Sequence, residues 1–151
     1  MSHPRLPSTE AAVAAVHEVA REFGRELSTS HSIGTDQVSR RLAAGAFTVL
    51  DPDGSLPHEA YIELTGSPAV SVWLHPEGDA RITVAEVDFE DVPRDAVPAF
   101  LRSVYGGAAY VKERAFPPSR TLIVPLPGGE TYREPVLLHS LGRWLGGIVR
   151  G

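Results

Sequence analysis

The sequence contains no cysteine and no long apolar run. Without cysteine there can be no disulfide, thiolate nucleophile, iron–sulfur cluster or cysteine-bound zinc. No stretch reaches the roughly 18 apolar residues that a membrane-spanning helix needs, and residues 11–20 are interrupted by charge where a signal peptide would be apolar. We therefore expect a cytoplasmic protein with no membrane partner.

The sequence also lacks the motifs of common enzymes. It has no G-x-x-x-x-G-K-[ST], G-x-G-x-x-G, H-E-x-x-H or G-x-S-x-G, which mark nucleotide-binding loops, zinc proteases and serine hydrolases. The six histidines show no i, i+4 spacing for a metal. The sequence therefore predicts no catalytic residue, no metal and no cofactor.

Basic residues are scarce, with 14 Lys and Arg against 19 Asp and Glu and a net charge of −5. This balance argues against a nucleic-acid partner, because phosphate backbones are bound through clustered cations. Residues 51–95 carry eleven acids against two arginines, whereas residues 96–151 carry seven bases against three acids. The acidic block indicates either a surface that steers a basic partner or an ordinary solvated surface.

The 151 residues suit one domain. We predict a flexible tail over residues 1–8 and a single α+β domain over 9–151. A helix should begin at Ser8 or Thr9 and continue to about Leu27, since apolar residues recur there at helical spacing. A polar loop and a short helical piece ending near residue 45 should follow. Later helices are expected at 95–105 and 134–146, with Pro135 in the first helical position of the last one.

Alternating apolar residues and turn sequences predict about six strands between these helices. Their short connections require antiparallel pairing, and Pro125 should place the last strand at a sheet edge. The predicted fold is thus α+β, an antiparallel sheet packed with helices in the order α-β-β-β-β-α-β-β-α. The predicted strands are 46–50, 58–65, 69–75, 80–88, 108–116 and 120–126.

The apolar pattern also fixes the predicted register, since a slip by one residue turns every side chain to the other face. Loops over 65–69 and 75–79 place Ile62 opposite Val72 and Val72 opposite Ile82. A β-bulge near Ala85 would explain why Val87 and the apolar residues after it change phase.

The other face of this sheet is the predicted binding site. Tyr61, Trp73 and Arg81 should form one row across three strands, a combination typical of binding hot spots, unless a helix or a second subunit covers it. Glu59 opposite His75 suits either a structural pair or a general base, and Asp88, Glu90 and Asp91 suit either a solvated cluster or a cation site. The predicted partner-binding residues are Glu59, Tyr61, Trp73, His75, Arg81, Glu86, Asp88 and Glu90.

These features favour a non-catalytic protein-binding domain. An immunity protein that neutralises a basic toxin and a chaperone-like binder of a secreted protein both suit an acidic, aromatic surface. The order of predicted elements resembles that of type III secretion chaperones, a resemblance of topology alone. The alternatives are a small-ligand-binding protein or enzyme with a pocket between sheet and helices, and a homodimer that uses the same sheet face.

Overall fold

An antiparallel sheet of five strands forms one half of the computed structural model, which describes residues 3–31, 59–137 and 142–150. Each strand pairs with the next strand among these residues, in the order β1-β2-β3-β4-β5. Short connections between most of them allow no other arrangement. The strands are β1 (Leu27–His31), β2 (Ala60–Leu64), β3 (Val70–Leu74), β4 (Asp79–Val84) and β5 (Val87–Pro93).

The register of the central strands confirms the prediction from the apolar pattern. Ile62 lies opposite Val72, and Val72 lies opposite Ile82. All three side chains are fully buried. The loops of the two hairpins have the predicted positions, because Leu64 pairs with Val70 and Leu74 with Ala80.

Four strands that follow residue 109 form a second sheet. Within the described part of the chain its order is β8-β7-β6-β9, and only the β6–β9 pair is parallel. The strands are β6 (Tyr110–Arg114), β7 (Ser119–Pro125), β8 (Thr131–Pro135) and β9 (Val149–Arg150).

Three helices accompany the sheets in the described ranges: α1 (Thr9–Glu22), α2 (Val97–Tyr105) and α3 (Arg143–Gly147). The Ser8 hydroxyl accepts a hydrogen bond from the Ala11 amide at 3.0 Å and thereby caps α1. A 3-10 turn at Arg94–Ala96 leads into α2. Pro98 lies in the first turn of α2, where its missing amide proton breaks no helical hydrogen bond.

One hydrophobic core joins the two sheets through α2. The Phe100 ring contacts Phe89 of β5 at 5.0 Å and Tyr132 of β8 at 5.7 Å between centroids. On the same helix, the buried Ser103 hydroxyl donates a 2.6 Å hydrogen bond to the Pro125 carbonyl of β7. The two sheets are therefore parts of one packed unit, and the α+β fold class is as predicted.

The N-terminal residues before α1 contact the segment between β5 and α2. The Leu6 amide donates to the Asp95 carboxylate at 2.7 Å, and the Arg94 guanidinium donates to the Leu6 carbonyl at 3.0 Å. Ser8 is fully buried. The division into a tail and a domain stays a prediction.

The first predicted helix is too long, because α1 ends at Glu22 and Leu27 begins β1. Gly24 has a φ of +65°, a left-handed conformation that ends the helix at little cost for glycine. The polar segment after it becomes β1, the first strand of the sheet among the described residues. Its own sequence does not signal a strand, and β2 supplies the pairing. The predicted strand 46–50 and the short helical piece before it lie outside the described residues.

The predicted bulge near Ala85 is wrong. Ala85 and Glu86 form a two-residue turn between β4 and β5, with Val84 opposite Val87. Both turn residues have positive φ, 48° and 72°, as the common two-residue hairpin turn requires. The register shift lies further along this pair, between Ala80 and Ile82 on β4.

Two predictions about the C-terminal part are also wrong. Pro125 does not mark an edge strand, because β7 is flanked by β6 and β8. Pro125 is the last residue of β7 and lies beyond Ile123, the last residue of β7 that pairs with β6. It therefore interrupts no hydrogen bond between β6 and β7. Glu134 and Pro135, which were predicted to begin the last helix, instead end β8, with Pro135 paired to Thr121. The helix itself begins at Arg143.

Candidate functional site on the outer sheet face

The five-stranded sheet buries one face and exposes the other. Its buried face packs with α1 and α2 in the core. We call the opposite side, with the residues that alternate with the core, the outer face. Tyr61, Trp73 and Arg81 are direct cross-strand neighbours there, in the predicted row. Trp73 is 41% exposed, so the predicted patch is open rather than part of the core.

A second row runs parallel to the first across β2, β3, β4 and β5. It consists of Glu63, Ser71, Thr83 and Asp88 as successive cross-strand partners. The two middle residues are small, and the two end residues carry carboxylates. With strands about 4.8 Å apart, the ends of this row are separated by roughly 14 Å at the backbone.

The aromatic side chains of the first row contact one another. Tyr61 meets Trp73 edge to face with centroids 5.7 Å apart, and Trp73 stacks with His75 at 6.1 Å. Such pairs stabilise neighbouring strands and hold the rings in place. The Tyr61 hydroxyl also donates to Glu63 at 3.0 Å, linking the two rows.

Arg81 is held by two carboxylates of β5. Its Nη2 donates to Asp88 at 2.7 Å, and its Nε lies 3.3 Å from Glu90, an ion pair without hydrogen-bond geometry. Thr83 donates a 2.6 Å hydrogen bond to the other Asp88 oxygen. The Thr83 and Arg81 hydrogen bonds lower the pKa of Asp88, and the hydrogen bond and charge of Asp88 raise the pKa of Arg81. The cation is therefore balanced within the site.

Between the aromatic rings and this ion pair lies a shallow depression of about 460 Å³. Its lining combines aromatic, hydroxyl and guanidinium groups and comes from three adjacent strands. The residues are Tyr61, Ser71, Trp73, Arg81 and Thr83.

The structure brings most of the predicted site residues together on the outer face. Trp73 and Tyr61 lie beside His75 and Arg81, and Arg81 binds Asp88 and Glu90. Glu59, half-buried, directly precedes β2, and the exposed Glu86 belongs to the β4–β5 turn rather than to the depression.

The site contains three residues that are missing from the predicted set: Glu63, Ser71 and Thr83. The same register that aligned the aromatic row also aligns these residues as a row. Ser71 and Thr83 are small polar residues and Glu63 is an ordinary surface carboxylate, so none of the three gave a separate signal.

The carboxylates of β5 do not form a cation site among the described residues, since Asp88 and Glu90 pair with Arg81. In the same ranges no group of three His, Asp or Glu residues is arranged to hold a metal.

A second cavity lies between α2 and the end of β7. It measures about 520 Å³, has mostly apolar walls, and contains none of the predicted site residues. Its lining comprises His3, Pro4, Ala99, Arg102, Ser103, Ala108, Pro125 and Pro127.

Two findings bear on what kind of protein carries this site. No helix in the described ranges is long and apolar enough to cross a bilayer. Comparison of the chain with protein-family models, with curated proteins and with solved structures gives no match in any of the three.

Proposed function

We propose that this chain is a non-catalytic, cytoplasmic protein-binding domain that takes a basic partner on its outer sheet face. The observation that carries the proposal is the exposed Trp73 with Tyr61 at its edge, flanked by the carboxylates of Glu63 and Asp88. Aromatic anchors beside charged groups are typical of binding hot spots.

The chemistry of the depression suits arginine or lysine side chains. A guanidinium or ammonium group gains cation–π attraction over an indole or phenol ring, and the carboxylates at both ends of the second row can accept its hydrogen bonds. Arg81 does not repel such a partner strongly, because Asp88 and Glu90 already balance its charge.

The shape of the second row suits an extended segment that crosses the strands. About 14 Å separates its acidic ends, roughly the length of four residues of extended chain. Both an immunity protein bound to a basic toxin and a chaperone-like protein bound to a secreted segment would use such a surface. The acidic block of residues 51–95 would accelerate the encounter through long-range attraction.

Calorimetric titration with a short peptide of alternating arginine and glycine tests the proposal. The wild-type chain should bind it and should not bind a matched peptide of glutamate and glycine. Trp73→Ala should weaken binding by about 2 kcal/mol, roughly 30-fold, as for a hot-spot aromatic residue. Leu137→Ala, a truncation of another exposed apolar side chain, is the matched control and should leave binding unchanged.

Equal binding of both peptides, or of wild type and Trp73→Ala, would contradict the proposal. Unchanged circular dichroism of Trp73→Ala would show that a loss of binding is not a loss of fold.

The cavity beside α2 favours a second candidate function, the binding of a small apolar molecule. Its walls are formed largely by proline and alanine side chains, and apolar walls with few polar groups are typical of ligand pockets. Ala99→Trp would fill this cavity. A small molecule that copurifies with wild type and is absent from Ala99→Trp, seen by native mass spectrometry, would support this candidate over the first.

A further inference from the structure

The β6–β7 hairpin has a surface opposite in charge to the outer face. Lys112, Arg114 and Arg120 are carried on its two strands against Glu113. Arg120 forms a 2.7 Å ion pair with Glu113, so its charge is compensated. Phe116, at the turn of the hairpin, is 86% exposed. The hairpin thus projects an aromatic ring from a basic ribbon.

Four cations of the second sheet share one of its faces, whereas Arg120 lies on the other face with Glu113. Lys112 pairs with Thr121 and Arg150, and Arg114 pairs with Ser119, so these side chains alternate with the buried Val111. Arg133 lies on the same face, opposite Ile123.

The carboxylates of β6 and β8 alternate to the other side of this sheet. Glu113 lies opposite Arg120, and Glu134 lies opposite the buried Leu122. Within the described residues, the positive charge on the exposed side of the hairpin therefore has no carboxylate partner near the tip.

We propose that the hairpin tip of one molecule occupies the outer face of a second copy of this chain. Phe116 would pack against Trp73 and Tyr61 in the depression, and Arg114 and Lys112 would meet the carboxylates of the second row. The inference rests on the proposed function, since the hairpin is itself a basic, aromatic ligand of the kind that the outer face suits.

Such an interface joins two different surfaces of the same molecule and is therefore head-to-tail. A pair of molecules keeps a free outer face on one copy and a free hairpin on the other, so further copies can add. The contact is confined to a hairpin tip and a shallow depression, which places it among small, weak interfaces. We expect reversible association that depends on protein concentration and is weakened by salt, because the Debye length falls to about 3 Å at 1 M.

Sedimentation equilibrium of the full chain measures this association. The mean mass of wild type should rise with concentration at low ionic strength and return to that of the monomer in 1 M salt. The double variant Arg114→Glu, Phe116→Ser should stay monomeric, and so should Trp73→Ala. Arg143→Glu, a charge reversal at an exposed position on α3, should associate as wild type does.

Mixing the two monomeric variants tests the geometry. The double variant keeps a working outer face and Trp73→Ala keeps a working hairpin, so the mixture should form a one-to-one complex and nothing larger. A symmetric interface that uses the same patch twice would give no such complex.

If wild type is monomeric at every concentration but still binds the arginine–glycine peptide, the self-association is overturned and the proposed function stands. Monomeric wild type without peptide binding would remove both. Association that survives in Trp73→Ala and in the double variant would place the contact elsewhere and also overturn the inference.

Discussion

The two sheets of this protein share a core but expose opposite surfaces. The five-stranded sheet carries an aromatic row beside carboxylates, with its one arginine bound by Asp88 and Glu90. The four-stranded sheet exposes lysine and arginine on one face and ends in an apolar hairpin tip. A net charge of −5 therefore describes neither surface, and binding behaviour must be inferred from each face separately.

The cations on the two faces also differ in their contacts. Arg81 is neutralised inside a hydrogen-bonded group, which makes it part of a preorganised surface. Lys112 and Arg114 are exposed on the hairpin. In the interface that we propose, the first face would receive a partner and the second would insert into one.

Phe100→Ala should have the largest effect, because it removes the ring that joins the two sheets. We expect a loss of about 3–5 kcal/mol in the free energy of unfolding, the usual cost of removing a buried phenylalanine. Urea unfolding followed by fluorescence should show one transition. Trp73→Phe and Trp144→Phe backgrounds, each leaving one tryptophan in a different part of the molecule, should report the same midpoint. Two different midpoints would show that the two sheets unfold as independent units.

Ser103→Ala should have a smaller effect on the same junction. It leaves the half-buried Pro125 carbonyl without its 2.6 Å hydrogen bond, and the loss of one such hydrogen bond costs about 0.5–1.5 kcal/mol. Ser71→Ala, a matched change on the outer face, should alter stability by less than about 0.5 kcal/mol. Equal urea midpoints for the two variants would show that the Ser103 hydrogen bond between α2 and β7 adds no more stability than the outer-face Ser71 does.

Thr83→Val should have the smallest effect on stability and a clear effect on titration. Thr83 provides the strongest of the hydrogen bonds that lower the pKa of Asp88, so the variant should raise this pKa toward its ordinary value. A lowered carboxyl pKa stabilises the fold above the unfolded-state pKa, and this contribution is lost as pH falls through the folded-state pKa.

Acid should therefore weaken the Arg81–Asp88 pair at a higher pH in Thr83→Val than in wild type. The carboxyl carbon shift of Asp88 in an NMR titration measures this. Coincident titration curves would mean that the Thr83 hydrogen bond does not contribute to the pKa of Asp88. Because both side chains of this pair are more than 40% exposed, solvent screening keeps the change in stability small.

The sequence was sufficient for the central sheet register and for the aromatic row. Ile62, Val72 and Ile82 could be aligned because a strand has a period of two, and a slip would have buried polar residues. Once they were aligned, Tyr61, Trp73 and Arg81 had to share the other face.

It was insufficient where the partner strand supplies the structure. Leu27–His31 carries little apolar signal and becomes a strand only through β2. Thr131–Pro135 becomes a strand through β7. The Ala85–Glu86 turn was missed because neither residue is the glycine or asparagine that usually marks a two-residue hairpin.

By itself, the sequence determined the α+β class and the two-sided character of the central strands, since both follow from local periodicity and turn chemistry. Only the tertiary structure decided that Trp73 is exposed, that Asp88 and Glu90 bind Arg81, and that the hairpin presents Phe116 outside the core. Those outcomes depend on contacts between distant segments, and no local pattern encodes which of its neighbours a side chain will meet.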